Sequence, residues 1–206
     1  TAENNLNHLL IDLKTTPEEK RIIYEILAEY NIKQENYEKG ITYLKKSFIG
    51  KEDRGKRSRK HFILGQLYQK TKNGDGAITE YNKVISLNPD YEMTFRSHLN
   101  KAKAFSFSKN DPDDLLKNYQ KMLKDDKNKE YRDQIYYAIG EIHINQQDTA
   151  LAVENMNNAI KSFLYNTDQK YQSHFRLAEI YFAQKDYKNT YLQYDSIMRI
   201  ISPDSP

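Results

Sequence analysis

One spacing, repeated four times, constrains this chain more than any other feature. In the stretch HFILGQLYQKTKNGDGAITEYNKVISLNP, Leu64-Gly65 is followed by Tyr68, Ala77, Tyr81 and Pro89, at three, twelve, sixteen and twenty-four residues past the glycine. The spacing returns at Leu27-Ala28 with Gly40, Leu44 and Ser47, at Ile139-Gly140 with His143, Ala152, Met156 and Ala159, and at Leu177-Ala178 with Tyr181, Thr190, Tyr194 and Ile197. Glycine inside a helix costs about 1 kcal/mol against alanine. A small residue kept at one phase therefore marks a place where two helices cross closely. Close approach buries the neighbouring apolar side chains at roughly 25 cal/mol per Å². Eight residues past each small residue stands a short polar one, Asn36, Asn73, Asp148 and Asp186. Asn and Asp accept the free N–H groups at a helix start, so these four predict the turn into a second helix.

This is the spacing of the tetratricopeptide repeat, a pair of antiparallel helices in about 34 residues. It predicts an all-α, right-handed α-solenoid of about five helical hairpins with a concave face. Repeats are expected near 21–54, 58–91, 133–166 and 171–204, as a single array over 1–206. Gly65 and Gly140 lie two periods and about seven residues apart, which leaves a degenerate repeat over 92–128. Its first helix is expected over 92–108. The second opens at NDPDD, with Asp111 as N-cap, Pro112 at the first helical position and acids in the first turn. Leu115, Leu116, Tyr119, Met122 and Leu123 supply its apolar stripe. AENNLNHLLIDLK at 2–14 predicts one further N-terminal helix, and TTPEE at 15–19 starts the next with cap-plus-proline chemistry.

Composition narrows the function by exclusion. The chain has 206 residues and no cysteine, which removes disulfide frameworks and cysteine-based zinc sites. Net charge is +3 from 32 basic and 29 acidic residues, so no global field draws nucleic acid or an anionic membrane. Mean hydropathy is −0.92, and no apolar run approaches the roughly 18–20 residues of a membrane span. No signal peptide is legible, and the start at Thr1 reads as an excised or processed piece. The five histidines, His8, His61, His98, His143 and His174, form no HExxH or related metal spacing. His61 and His174 share one repeat position where an aromatic ring packs, and both are read as packing residues. NGDG at 73–76 lacks the further ligands of a calcium loop and is read as a hairpin turn. The carboxylates of NDPDD and KDDKNKE flank helix ends rather than pairing for catalysis. No nucleophile motif or phosphate loop is present. We therefore expect no enzyme activity, no cofactor and no metal. RGKRSRK at 54–60 is the densest basic run. It is read as a solvated turn between repeats, with an anionic partner patch as the alternative.

In this repeat class the concave wall is built from first-helix positions two, five, nine, twelve and thirteen. These are Ile22, Glu25, Glu29, Ile32 and Lys33; Arg59, Phe62, Gln66, Gln69 and Lys70; Gln134, Tyr137, Glu141, Ile144 and Asn145; and Gln172, Phe175, Glu179, Phe182 and Ala183. The expected partner-binding residues are Phe62, Gln66, Lys70, Tyr137, Glu141, Phe175, Glu179 and Phe182. Phe62, Tyr137, Phe175 and Phe182 are rings that the core within a repeat does not demand. Glu141 and Glu179 should form an acidic stripe beside them, facing a basic and apolar partner segment. Tyr24, Tyr68, Tyr81, Tyr136, Tyr181 and Tyr194 fall on core positions. The leading function is a non-enzymatic scaffold holding a helix or extended segment of a partner protein. A structural spacer with an unused groove is the second reading. A co-chaperone-like adaptor, gripping a carboxylate with Arg96 and Asn100, is a third; the next repeat offers Ala138 where that clamp wants Asn.

Three longer stretches, NPDYEMTFRSHLNKA at 88–102, KMLKDDKNKEYRDQIYYAIGEI at 121–142 and QKYQSHFRLAEIYF at 169–182, carry a narrower resemblance. They are similar to the repeat region of the large lipoproteins associated with gliding motility and type IX secretion in Bacteroidetes. The resemblance implies an accessory component on the periplasmic face of the outer membrane, connecting the trans-envelope machinery to the translocon. It implies protein partners from that machinery, no nucleic acid, and no direct membrane insertion of this piece. The lipid-bearing cysteine is absent here and the family chains are much longer, so the chain would be an internal fragment.

Overall fold

The computed structural model describes residues 6, 8, 10, 15–108 and 111–202. Ten α-helices have defined bounds among them, and no strand occurs among the described residues. The fold is all-α, as the spacing predicts. Two compact units divide the chain, residues 1–109 and 110–206. The first contains α1 (Pro17–Lys33), α2 (Tyr37–Lys46), α3 (Arg54–Lys70), α4 (Gly74–Leu87) and α5 (Tyr91–Phe105). The second contains α6 (Asp113–Lys124), a 3-10 turn (Asp126–Tyr131), α7 (Arg132–Asn145), α8 (Thr149–Lys161), α9 (Thr167–Ala183) and α10 (Tyr187–Ile201). The expected N-terminal helix falls mostly outside the described residues; residues 6, 8 and 10 are helical.

Each hairpin is made by local chemistry. Thr16 and Glu19 form a reciprocal capping box, with Pro17 in the first turn of α1. Asn36, Asn73, Asp148 and Asp186 are the N-caps of α2, α4, α8 and α10. Asn73, Asp148 and Asp186 accept backbone N–H groups through their side chains, whereas Asn36 makes no such bond. Each N-cap also closes the preceding helix. Their N–H groups donate to Asn31, Tyr68, His143 and Tyr181 carbonyls at 2.8–2.9 Å. The residue just before each, Glu35, Lys72, Gln147 or Lys185, adopts φ of 57–62°. This is the Schellman ending, in which a left-handed residue satisfies the last carbonyls. It is repeated four times without a glycine.

The small residues sit where the spacing places them. A Cβ on Gly65 would stand 2.6 Å from the Tyr81 ring, and one on Gly140 would stand 2.8 Å from Met156 Cε. Leu27, Leu64, Ile139 and Leu177 beside the small residues are buried, as are Leu44, Tyr81, Met156 and Ile197 of the second helices. Helix α1 packs on α2, α3 on α4, α7 on α8 and α9 on α10. In the first unit α5 packs on α4 and α3, and in the second α9 packs on α8.

The degenerate stretch departs from expectation in detail. Its two helices, α5 and α6, belong to different compact units. Pro112 is the residue capping α6 rather than its first helical residue, while Asp111 Oδ1 accepts the Asp113 N–H at 2.9 Å. The boundary thus moves by one residue and the capping chemistry stays. Gly74 is more than a turn residue. Its N–H donates to the Phe107 carbonyl at 3.2 Å, and a Cβ there would collide with the Ala104 carbonyl oxygen and the Phe107 carbonyl carbon. Only glycine lets α4 start against the end of α5.

Candidate partner-binding surfaces

In the first unit the functional geometry centres on the N-terminal half of α3. Asp53 caps it, accepting the N–H groups of Gly55 and Lys56 at 2.8 and 3.1 Å. The basic run then splits by helical phase. Lys60 points inward: its ammonium meets Glu52 at 2.7 Å, Glu25 at 3.3 Å and the Ser47 carbonyl at 3.0 Å. It also lies 4.6 Å from the Phe48 ring centroid, and only 7 % of the side chain is exposed. One member of an apparently solvated run is therefore a buried structural cation. Burying a charge is tolerated only when it is paired and hydrogen-bonded.

Lys56 and Arg59 stay exposed. With Glu25, Ala28, Glu29, Ile32, Leu44 and Ile63 they line a cleft of about 320 Å³ between α1 and α3. A second cleft of about 320 Å³, between α3 and α5, is lined by Arg59, Phe62, Asp90, Glu92, Met93 and Arg96. Arg59 borders both. Most carboxylates here are already engaged: Glu29 by Lys33 at 2.8 Å, Glu92 by Arg96 at 2.6 Å, Glu25 and Glu52 by Lys60. Asp90 serves as the N-cap of α5, accepting the Met93 N–H at 2.8 Å. Neither Lys56 nor Arg59 has an ion-pair partner among the described residues. The unpaired cations of the α1–α3 cleft are therefore Lys56 and Arg59, above an apolar floor, whereas in the α3–α5 cleft the Asp90 carboxylate lies opposite the charge of Arg59.

The expected groove residues of this unit divide. Gln66 and Lys70 are exposed. Phe62 lines the α3–α5 cleft, but its ring also meets Tyr81 edge-on at 5.7 Å and packs on the core cluster of Ala77, Tyr81 and Ala104. The core does demand this ring, contrary to the sequence reading. Gln69 works as a strut: it accepts from the Tyr81 hydroxyl at 2.5 Å and donates to the Asn100 carbonyl at 3.1 Å. Arg96, the expected carboxylate-gripping residue, is held by Glu92 on its own helix.

The second unit corrects the acidic stripe. Arg176 places its guanidinium between the two carboxylates. Nε and Nη2 donate to Glu141 at 2.6 and 2.7 Å, and Nη1 donates to Glu179 at 2.7 Å. The bidentate fork is the strong geometry for this pair, and the bonds to Glu141, more than those to Glu179, raise the Arg176 pKa further. Burial, and then the Glu141 charge, push the neighbouring Tyr137 hydroxyl up to about 12. Tyr137, Glu141 and Glu179 therefore belong to one network in which a single guanidinium is shared by two carboxylates and a net negative charge remains, rather than to a stripe of free carboxylates. Phe175 stacks on Tyr171 at 6.2 Å, and Phe182, 62 % exposed, meets Tyr187 edge-on at 6.0 Å. Arg176 was legible in one respect: it lies 35 residues after Glu141, as Lys60 lies 35 after Glu25. A cation one repeat and one residue beyond an acid is a cross-repeat pair in both units.

Tyr194 is a further correction. With Tyr187, Tyr191, Met198 and Ile201 it forms a stripe at alternating spacings of four and three along α10, each residue 44–69 % exposed. The corresponding Met156 of α8 is buried, in a helix on which α9 packs. No described helix follows α10 to do the same.

His61 and His174 hold equivalent places. His61 Nδ1 meets Glu80 at 2.6 Å and His174 Nδ1 meets Gln193 at 2.8 Å, each nineteen residues on. Both are buried side chains tied to a second helix, in keeping with a packing role.

Comparison with known proteins agrees with this architecture. The tetratricopeptide-repeat family model matches residues 61–91 and 133–163, so these two stretches carry the tetratricopeptide repeat. Solved structures with the same fold include the apo form of RapI, with a TM-score of 0.68 and 14 % identity over 100 % of this chain and 60 % of that one. A Rap protein complexed with Competence and Sporulation Factor gives 0.63 and 17 % identity over 97 % of this chain and 58 % of that one. MamA from Desulfovibrio magneticus RS-1 gives 0.58 and 14 % identity over 93 % and 100 %. The chain thus spans about three fifths of the two Rap chains. No curated protein matches the sequence.

Proposed function

We propose that the chain is a non-enzymatic protein–protein interaction scaffold that receives a partner segment along the first helices α1, α3 and α5. The observation that carries this reading is the pair of adjoining clefts sharing Arg59, with apolar side chains in their walls and with Lys56 and Arg59 left without an acidic partner among the described residues. A segment with apolar side chains and interspersed Asp or Glu complements them. Anchors in the desolvated centre supply most of the binding energy, while rim charges set on-rate and register. A Rap protein of the same fold is known in complex with Competence and Sporulation Factor, which supports the capacity of this architecture to hold a ligand.

Within that reading we place the chain as an accessory component of the type IX secretion and gliding machinery. It would form part of a longer lipoprotein on the periplasmic face of the outer membrane. The support is the resemblance of residues 88–102, 121–142 and 169–182 to those lipoproteins. The test is a pull-down from a Bacteroidetes envelope fraction with the wild-type chain and with Arg59→Glu. Secretion-machinery proteins should be captured by wild type and depleted by the variant. Equal capture by both would remove the clefts as the site. Capture of nothing would favour a spacer with an unused groove.

A further inference from the structure

A third cleft, of about 510 Å³, is lined by α2, α3 and α4, and the groove reading does not use it. On α3 its residues are Arg57, His61 and Leu64, whereas Lys56, Arg59, Lys60 and Ile63 face the α1–α3 cleft. At about 100° per residue these two sets lie roughly a third of a turn apart on one helix. The basic run 54–60 thus supplies cations to two separate surfaces.

Its construction is specific. Leu64 and Phe48 give an apolar floor, with Leu87 beside them. At depth His61 Nδ1 meets Glu80 at 2.6 Å, and the His61 ring stacks on Phe48 with centroids 4.5 Å apart. Lys45, Arg57 and Lys83 edge the opening. Glu80 is the one carboxylate among the lining residues, and His61 and Lys83, the latter at 2.8 Å, already bind it. Burial works to raise the Glu80 pKa, yet these two partners outweigh it and hold the carboxyl below its ordinary value. Lys45 and Arg57 have no acidic partner among the described residues.

We propose that this cleft is a second docking site, independent of the first-helix clefts, for a short acidic and apolar segment of a partner protein. An apolar side chain of that segment would fill the space over Leu64 and Phe48, and its flanking carboxylates would meet Lys45 and Arg57. Charge complementarity selects this occupant, because the cleft's own carboxylate is neutralised and its remaining cations are not. Nucleic acid fits poorly, since base stacking needs a free aromatic platform and the Phe48 ring is engaged by His61 and Lys60.

The absence of cysteine makes the test direct. Ser86, exposed on α4 and lining this cleft, is replaced in Ser86→Cys to give a single thiol at the site. Gln66→Cys places one on the first-helix face instead. The probe is a synthetic peptide alternating Leu or Ile with Glu or Asp, and the readout is the rate of maleimide alkylation. The proposal expects the peptide to slow alkylation of Ser86→Cys by about tenfold or more, in a salt-dependent way. Adding Lys45→Glu and Arg57→Glu should remove that protection. A peptide with Lys in place of its acids, and one with Ser in place of its apolar residues, should protect little. Protection confined to Gln66→Cys would overturn the proposal while sparing the first-helix reading. Protection of Ser86→Cys that survives the double charge reversal, or that the Ser-for-apolar peptide gives equally, would also overturn it.

Discussion

The hairpin α3–α4 of the first unit and α7–α8 of the second share one spacing, yet they are built with different tolerance. Gly65 crosses against the rigid ring of Tyr81, whose hydroxyl is tied to Gln69; Gly140 crosses against the flexible end of Met156. Helix α4 begins at Gly74, pressed on the backbone after α5, whereas α8 begins at Thr149, which carries a side chain. The cross-repeat cation of the first unit, Lys60, is buried, while Arg176 of the second is 33 % exposed. The repeat pattern dictates which positions meet. The side chains that meet decide how much change each position absorbs, because a ring must move as a body while methionine adjusts about three bonds.

The largest effect should come from the cross-repeat cations. Lys60→Ala leaves Glu52, whose side chain is only 7 % exposed, without its partner. Breaking a buried pair costs about 3–5 kcal/mol, and urea denaturation should show a loss of that size. Arg176→Ala should cost about 1 kcal/mol, as expected for a partly solvated pair. Equal losses would mean that burial does not separate the two units.

Next come the helix starts. Gly74→Ala drives a methyl group into fixed backbone and should destabilise by about 2–3 kcal/mol. Thr149→Ala should stay within about 0.5 kcal/mol. A tolerated Gly74→Ala would show that the end of α5 is free to retreat.

The crossings follow. Gly65→Ala should cost about 1–2 kcal/mol, because the Tyr81 ring has to shift. Gly140→Ala should be near neutral, the helix-propensity gain of about 1 kcal/mol offsetting a small movement of Met156. Gly140→Leu, which a methionine cannot accommodate by rotation alone, should still lose about 1–3 kcal/mol. Thermal melts of the three variants decide the ranking.

The smallest effect is on pH dependence, and its sign differs between units. In the first unit burial, with Lys101 nearby, lowers His98 to about 4 from an ordinary 6.5. The unfolded chain then binds more protons between these values. Its contribution is complete above about 6.5 and lost as pH falls toward 4, with about 1 kcal/mol gone by pH 5.5. In the second unit burial raises the Asp133 carboxyl above 3.8. That contribution is present at low pH and lost as pH rises through the raised value, the opposite sign to His98. Residue-resolved denaturation by NMR at pH 7.5 and 5.5 should show the first unit weakening more. A uniform response, or the reverse order, would break the comparison.

Much of the architecture was legible because it rests on near-neighbour chemistry. Leu64-Gly65 and its three counterparts located the crossings, and Asn36, Asn73, Asp148 and Asp186 located the turns, since caps and small residues act within a few residues of themselves. What the surface carries was harder to read. Spacing placed Glu141 and Glu179 on one face, but Arg176 reaches back across a repeat and joins them. Lys60 looked like one more solvated base in RGKRSRK until the fold brought Glu25 and Glu52 to it. Tyr194 occupies a position whose burial depends on the next helix rather than on its own sequence. Long side chains choose partners from whatever the packing supplies, and a one-dimensional period does not record that choice.

The four left-handed turns at Glu35, Lys72, Gln147 and Lys185 have a consequence for descent. Each is closed by its own hydrogen bonds, and one residue serves as the lock of the helix before and the key of the helix after. A gene segment cut at such a joint carries its own punctuation. Duplication or loss of a whole hairpin leaves every remaining joint intact, whereas a shift by a few residues destroys one.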